Sequence, residues 1–177
     1  MISKENIVLI GFMAAGKSTV GKELASKLGL NFIDTDKEIE KKLGISIPEI
    51  FKKYGEPFFR KIESEIIYTA SNQKGCVIST GGGAFINQNN RENLKKTGIV
   101  IWLSVSIQTV LQRIKNLNNR PLLYNKGIDK INNMLKEREK YYKTADFTVK
   151  TDGLSVSDIV DIIIEYICRK NGIKNNG

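Results

Sequence analysis

Apolar runs of four or five residues alternate with longer stretches in which apolar positions recur every three or four residues. The short runs are rich in β-branched residues and predict strands near 6–10, 31–34, 75–79, 98–103 and 146–150. Three of them, Ile7–Ile10, Cys76–Ser79 and Ile99–Leu103, are almost unbroken apolar sequence, as required of strands covered on both faces. Helical stretches fill the gaps, so the chain reads as successive βα units around a parallel sheet, an α/β fold.

Local signals sharpen several elements. Ser46-Ile47-Pro48-Glu49 combines a capping box with a proline in the first turn, predicting a helix from about Ile47 to Gly55. From Glu56 to Ala70, the apolar residues Phe59, Ile62, Ile66 and Ala70 share one helical face, and Arg60 lies off it. Farther along, Ile131, Met134, Leu135, Arg138 and Tyr142 form another stripe, which places an arginine in a core-facing slot. Between Asn116 and Asp129 periodicity stops in an Asn-rich segment containing Arg120-Pro121 and Gly127. That is too long for an ordinary connection and predicts a lid over about 116–129. The organisation is one domain over 1–170 with a frayed tail at 171–177.

Composition narrows the chemistry. The length exceeds one typical domain of ~150 residues only slightly, and 41% hydrophobic with 27% charged residues is ordinary globular usage. Twenty-eight basic against 19 acidic residues give a net charge of +9, which favours anionic partners without choosing among them. The chain has no histidine. Histidine-dependent triads and His-ligated zinc are therefore excluded, and acid–base chemistry falls to carboxylates or lysine. Cys76 and Cys168 form no metal-spaced or redox pair, which fits a reducing, cytoplasmic compartment. The basic residues are scattered over several helices with little aromatic interleaving, against a nucleic-acid surface. The N-terminal apolar run is too short for a membrane span or signal segment.

Candidate chemistry gathers at the predicted carboxyl edge of the sheet. Gly11 to Ser18 satisfies G-x-x-x-x-G-K-[ST] directly after a strand and before a helix. In that context it predicts a phosphate loop, with backbone N–H groups around the phosphates, Lys17 reaching the β- and γ-phosphates and Ser18 ligating Mg²⁺. Asp34 and Asp36 close the second strand at the edge where open α/β sheets bind ligands. Thr35-x-x-Glu38 is also a capping box, so a purely structural role as helix-start acids competes with metal and substrate-hydroxyl roles. Gly81-Gly82-Gly83 follows the third strand and allows close backbone approach to a ligand. Arg138 must be paired or solvated, which leaves an internal ion pair, snorkelling to solvent or a ligand carboxylate.

The strings GxxxxGKST, FIDTD, GISIPEIFxxxGExxFRxxE, STGGG and RPLL together resemble the shikimate kinase family from about Ile7 to about Lys150. That resemblance implies a P-loop, nucleoside-monophosphate-kinase-like fold with a five-stranded parallel sheet and a mobile lid. It implies transfer of the ATP γ-phosphoryl group to the 3-hydroxyl of shikimate, on the route to chorismate and the aromatic amino acids. Position by position, it implies that Ala14, Ala15, Gly16, Lys17, Ser18 and Thr19 contact phosphates and that Ser18 and Asp34 serve Mg²⁺. Asp36, Arg60, Gly82 and Arg138, with the flanking Gly81 and Gly83, match the shikimate site. Arg120 matches the lid arginine that reaches ATP, and Arg113 a residue beside adenine. Catalysis is assigned to Lys17, Asp36 and Arg120. The partners expected are ATP and shikimate, with no nucleic acid or membrane, for a monomeric chain. Two departures stand out: Ala14 replaces a common Gly, and Glu-Lys-Tyr-Tyr follows Arg138 where Pro-Leu-Tyr is usual. Gluconate kinase, a nucleotide-binding module without turnover and an RNA-binding protein are the rival readings. The FRxxE helix with its arginines, the intact P-loop set and the scattered charge disfavour them in turn.

Overall fold

A computed structural model describes residues 5–116 and 127–172, with the side chains of 115 and 116 left aside. In chain order the elements are β1 (Asn6–Ile10), α1 (Lys17–Leu28), β2 (Asn31–Asp34), α2 (Thr35–Leu43), α3 (Ile47–Ser71) and β3 (Cys76–Ser79). A short 3₁₀ turn (Ala84–Ile86) follows, then α4 (Gln88–Thr97), β4 (Gly98–Ser104), α5 (Ile107–Asn116), α6 (Gly127–Tyr142), β5 (Phe147–Lys150) and α7 (Val156–Lys170). All five strands are parallel, in the order β2-β3-β1-β4-β5. The predicted strands all form, each within one residue of its expected limits.

Burial follows strand position. Every residue of β1 and β3 is buried, as is the apolar centre of β4, whereas β2 and β5 at the edges are only partly covered. Helices on both faces cover the central strands, so their continuous apolar runs meet no solvent. A smaller core of Ile39, Ile50, Phe59 and Ile62 lies between α2 and α3, apart from the main one. It makes that helical pair a semi-independent wall beside the sheet edge.

The α3 helix is broken at Gly55, whose φ of 79° and ψ of 173° leave helical space. Pro57 then sits in the first turn of the second half, where its missing N–H costs no hydrogen bond. The Gly55 boundary inferred above is thus a kink between two helical halves. At the first half's start, the Ser46 N–H donates to Glu49 Oε2 at 2.9 Å, completing the expected capping box.

Asn6 fastens the base of the sheet. Its buried amide donates to the carbonyls of Ser71 (3.1 Å) and Gln73 (2.7 Å) and accepts from the Cys76 N–H (3.0 Å). One side chain therefore closes the turn between α3 and β3. Cys76 and Cys168 are buried free thiols. No helix among the described residues is long and apolar enough to cross a membrane.

Replacing Asn6 with Leu strands three backbone groups that water reaches poorly. It is expected to lower stability by about 2–4 kcal/mol while sparing kcat, since the site lies at the opposite edge. Urea denaturation and steady-state kinetics check both halves.

Candidate active site

Parallel pairing sets the stage. Leu9 lies in register with Ser79, and Ser79 with Asp34, so β1, β3 and β2 end side by side. The loop leaving β1 turns immediately into α1, with Gly16 as N-cap at φ 89° and Ala14 at φ 59°. Ala14 is the one non-glycine residue with positive φ among the described residues. The common glycine there is thus replaced by an alanine that keeps the left-handed backbone, at a cost of order 1–2 kcal/mol. The α1 N-terminus opens directly onto this loop, and helix N-termini suit anions.

Lys17 is folded over this loop, donating to the carbonyls of Gly11 and Phe12, each at 2.9 Å. Ser18 Oγ donates to Asp34 Oδ2 at 2.5 Å and lies 3.5 Å from Ser79 Oγ. Hydroxyl and carboxylate oxygens thus meet at the mouth of the loop, a hard oxygen set suited to Mg²⁺, which keeps several waters and binds few protein groups. Asp34 has a second task. Its other oxygen accepts the N–H groups of Asp36 and Lys37, making Asp34 the N-cap of α2. The Thr35-x-x-Glu38 capping box expected above does not form, because Thr35 is already the first helical residue. Its buried hydroxyl instead accepts the Gly81 N–H at 3.2 Å.

That contact pins the glycine loop against the acids. A Cβ on Gly81 would lie 2.7 Å from Asp36 Oδ1 and 3.0 Å from Glu63 Oε1. One on Gly83 would lie 2.8 Å from both terminal nitrogens of Arg60, and one on Gly82 would lie 3.5 Å from Arg138 Nη1. Four side chains therefore close on three consecutive glycines, and at Gly81 and Gly83 they do so because no Cβ stands in the way. Thr80, doubly bonded to the Leu9 carbonyl, ties the same loop to β1.

Arg60 lies off the apolar stripe of α3, as expected, and binds Glu63 at 2.8 Å and Glu56 at 3.0 Å. Burial works against its charge, but Glu63 and then Glu56 more than offset this and raise its pKa. Glu63 belongs to the buried face, only 1% exposed, and its Oε1 has no hydrogen-bond partner. Burial raises its pKa, and nearby Asp36 adds to the rise; Arg60 and, more weakly, Arg138 oppose it. Arg138 is half-buried, its guanidinium 5.5 Å from the centre of the Phe12 ring. No direct ion pair engages it among the described residues, although its charge reaches the buried Glu63 carboxyl. Arg113 donates to the Ala14 carbonyl at 2.8 Å, beside the phosphate loop. Arg120 and most of the proposed lid lie outside the described residues.

Three contributors escaped the sequence reading. Glu63 stood inside the FRxxE string, and a carboxylate three residues after an arginine on a helix was the available signal. Tyr142 was read only as part of an apolar stripe, although its hydroxyl donates to the Gly82 carbonyl. Asp152 accepts Ser106 N–H (3.0 Å) and Oγ (2.7 Å) and Thr109 Oγ1 (2.5 Å), tying the loop after β5 to the start of α5. No local pattern announces that contact.

A phosphate loop at the switch point of a parallel sheet, facing a small pocket of arginines and acids, defines a P-loop kinase of the nucleoside-monophosphate-kinase type. Comparison with known proteins refines the class. The family model described as Shikimate kinase matches residues 13–168. A shikimate kinase of Sulfurihydrogenibium sp. (strain YO3AOP1) is 47% identical over 166 residues, covering 94% of this chain and 99% of its own. The solved structure of shikimate kinase from Acinetobacter baumannii in complex with shikimate superposes with a TM-score of 0.91 at 40% identity, covering 98% and 97% of the two chains. This chain belongs to the shikimate kinase family. A gluconokinase from Sinorhizobium meliloti, 17% identical with a TM-score of 0.61 and covering 94% and 93% of the two chains, shares the fold alone.

The buried Glu63 carboxyl gives the apo protein a defined acid response. Because its folded pKa is raised above the ordinary 4.5, the folded protein retains a proton that the unfolded chain releases between the two values. This contribution to stability therefore declines as pH rises through that window. Glu63→Gln is expected to flatten the slope, which urea denaturation across the mildly acidic range will read.

Proposed function

We propose that this site transfers the γ-phosphoryl group of ATP to the 3-hydroxyl of shikimate, with Asp36, Arg60 and Arg138 holding the acceptor against Gly81–Gly83. The observation that carries the reading is the convergence of two arginines and one carboxylate on a side-chain-free loop directly beside the phosphate loop. Shikimate has one carboxylate and several hydroxyls. Arg60 and Arg138 suit the former through charge-assisted hydrogen bonds, and Asp36 suits the latter as an acceptor.

In the transfer, the acceptor oxygen forms its bond to the γ-phosphorus as the bond from that phosphorus to the β–γ bridging oxygen breaks. The hydroxyl proton passes to the Asp36 carboxylate, and ADP leaves. Positioning and charge supply most of the acceleration in such reactions. Lys17 leaves the Gly11 and Phe12 carbonyls for the β- and γ-phosphates, while Ala14 to Thr19 and the α1 N-terminus surround them. Ser18, with Asp34 through water, would hold Mg²⁺, which when bound neutralises phosphate charge. Arg113 belongs to the adenine side, and Arg120 to the ATP phosphates by family resemblance. A lid over 116–129 would exclude water from the reaction.

We read the protein as a cytoplasmic monomer without nucleic-acid or membrane partners. Buried free cysteines and apolar exposure spread over Tyr54, Tyr68, Ile128 and Leu154 support this.

ADP release with ATP, Mg²⁺ and shikimate, gluconate or a nucleoside monophosphate tests the assignment. Turnover is expected with shikimate alone, and turnover only with another acceptor would overturn it. Asp36→Asn is expected to lower kcat by about 10²–10⁴-fold with ATP binding largely intact. Near-normal kcat would reduce Asp36 to a helix-start acid.

A further inference from the structure

We propose that Tyr142 is a positioning residue for the acceptor pocket, its hydroxyl holding the Gly82 carbonyl and so fixing the glycine loop against which Arg138 rests. The inference rests on the reading of Arg138 and Gly82 as acceptor contacts and adds to it the group that holds them together. Tyr142 closes α6, four residues after Arg138 and on the same face. It is wholly buried, its ring 5.8 Å from that of Trp102 on β4. Such a tyrosine needs a partner for its O–H. It takes the carbonyl of Gly82, the residue against which Arg138 rests.

The phenol also faces Arg138. Burial pushes the Tyr142 pKa up to about 12, and Arg138, by its charge and by hydrogen bonding to the phenol oxygen, offsets part of the rise. The hydroxyl therefore stays protonated and donates to Gly82. Phe12 supplies the other wall, 5.5 Å from Arg138 Cζ, as cation–π geometry requires. Among the described residues, Arg138 thus lies between an aromatic face and the glycine loop that Tyr142 holds, with no carboxylate in direct ion-pair contact. Phenylalanine at 142 would fill the core equally well; only the hydroxyl serves the pocket.

The test is a double-mutant cycle of Tyr142→Phe and Arg138→Met, read as KM for shikimate, KM for ATP, kcat and thermal unfolding. Tyr142→Phe is expected to raise the shikimate KM about three- to tenfold, the equivalent of one ordinary hydrogen bond, with the ATP KM unchanged. In the Arg138→Met background, the same substitution is expected to have little further effect, because its route is through the arginine. An unchanged shikimate KM with lowered stability would make Tyr142 a core residue only and overturn the proposal, as would parallel rises in both KM values or a fully additive cycle. If Arg138→Met itself leaves shikimate affinity unchanged, the acceptor-site reading fails and the proposal with it, a result distinct from failure of Tyr142→Phe alone. Should Tyr142→Phe not fold, 3-fluorotyrosine at position 142 keeps ring and hydroxyl while changing donor strength. A shifted shikimate KM at constant ATP KM then supports the proposal, and no shift overturns it.

Discussion

The parallel register of β1, β3 and β2 is the constraint on which the site depends. It brings the ends of three adjacent strands to one edge, so that Leu9, Ser79 and Asp34 emerge as neighbours although they are far apart in sequence. Each strand hands over directly to a functional segment: the phosphate loop, the glycine loop and the acidic start of α2. The order of the sheet is therefore also the layout of the reaction. A slip of one residue between β2 and β3 would carry Asp34 away from Ser18 and turn its side chain to the other face.

Around that edge, polar groups are held by one another. Ser18 and Asp34 bond across the mouth of the loop, Thr35 holds Gly81, Glu63 holds Arg60, and Tyr142 holds Gly82. Each bond joins two different elements or two turns of one helix, so the pocket is stiff before any ligand arrives. Preorganisation of this kind limits the ordering cost of binding. The buried, incompletely partnered Glu63 is its energetic cost, tolerated because Arg60 lies at 2.8 Å.

Much of this was legible along the chain. The strands declared themselves by short β-branched runs, the α3 start by Ser46 and Glu49, and the phosphate loop by spacing and context. Arg138 was recognisable as a charge on an apolar stripe, and the family strings carried the activity. Less legible were interactions between distant segments. Asp34, not Thr35, caps α2, because the Thr35 hydroxyl is taken by Gly81, 46 residues away. Glu63 faces inward because Arg60 and the glycine loop receive it, although an isolated helix would leave such a pair in solvent.

Sequence by itself determined the periodicities, the turn residues and the chemistry available: a phosphate loop, carboxylates in place of histidine, and arginines for an anion. These follow from local backbone preference and side-chain type, which need no partner to be read. Only the tertiary structure decided which oxygen meets which nitrogen. It made Asp34 both cap and Ser18 partner, turned Thr35 into the anchor of Gly81, and joined the Tyr142 hydroxyl to the Gly82 carbonyl. Those choices depend on the packing of helices against an open parallel sheet, where a buried polar group must take whichever partner the fold brings within reach.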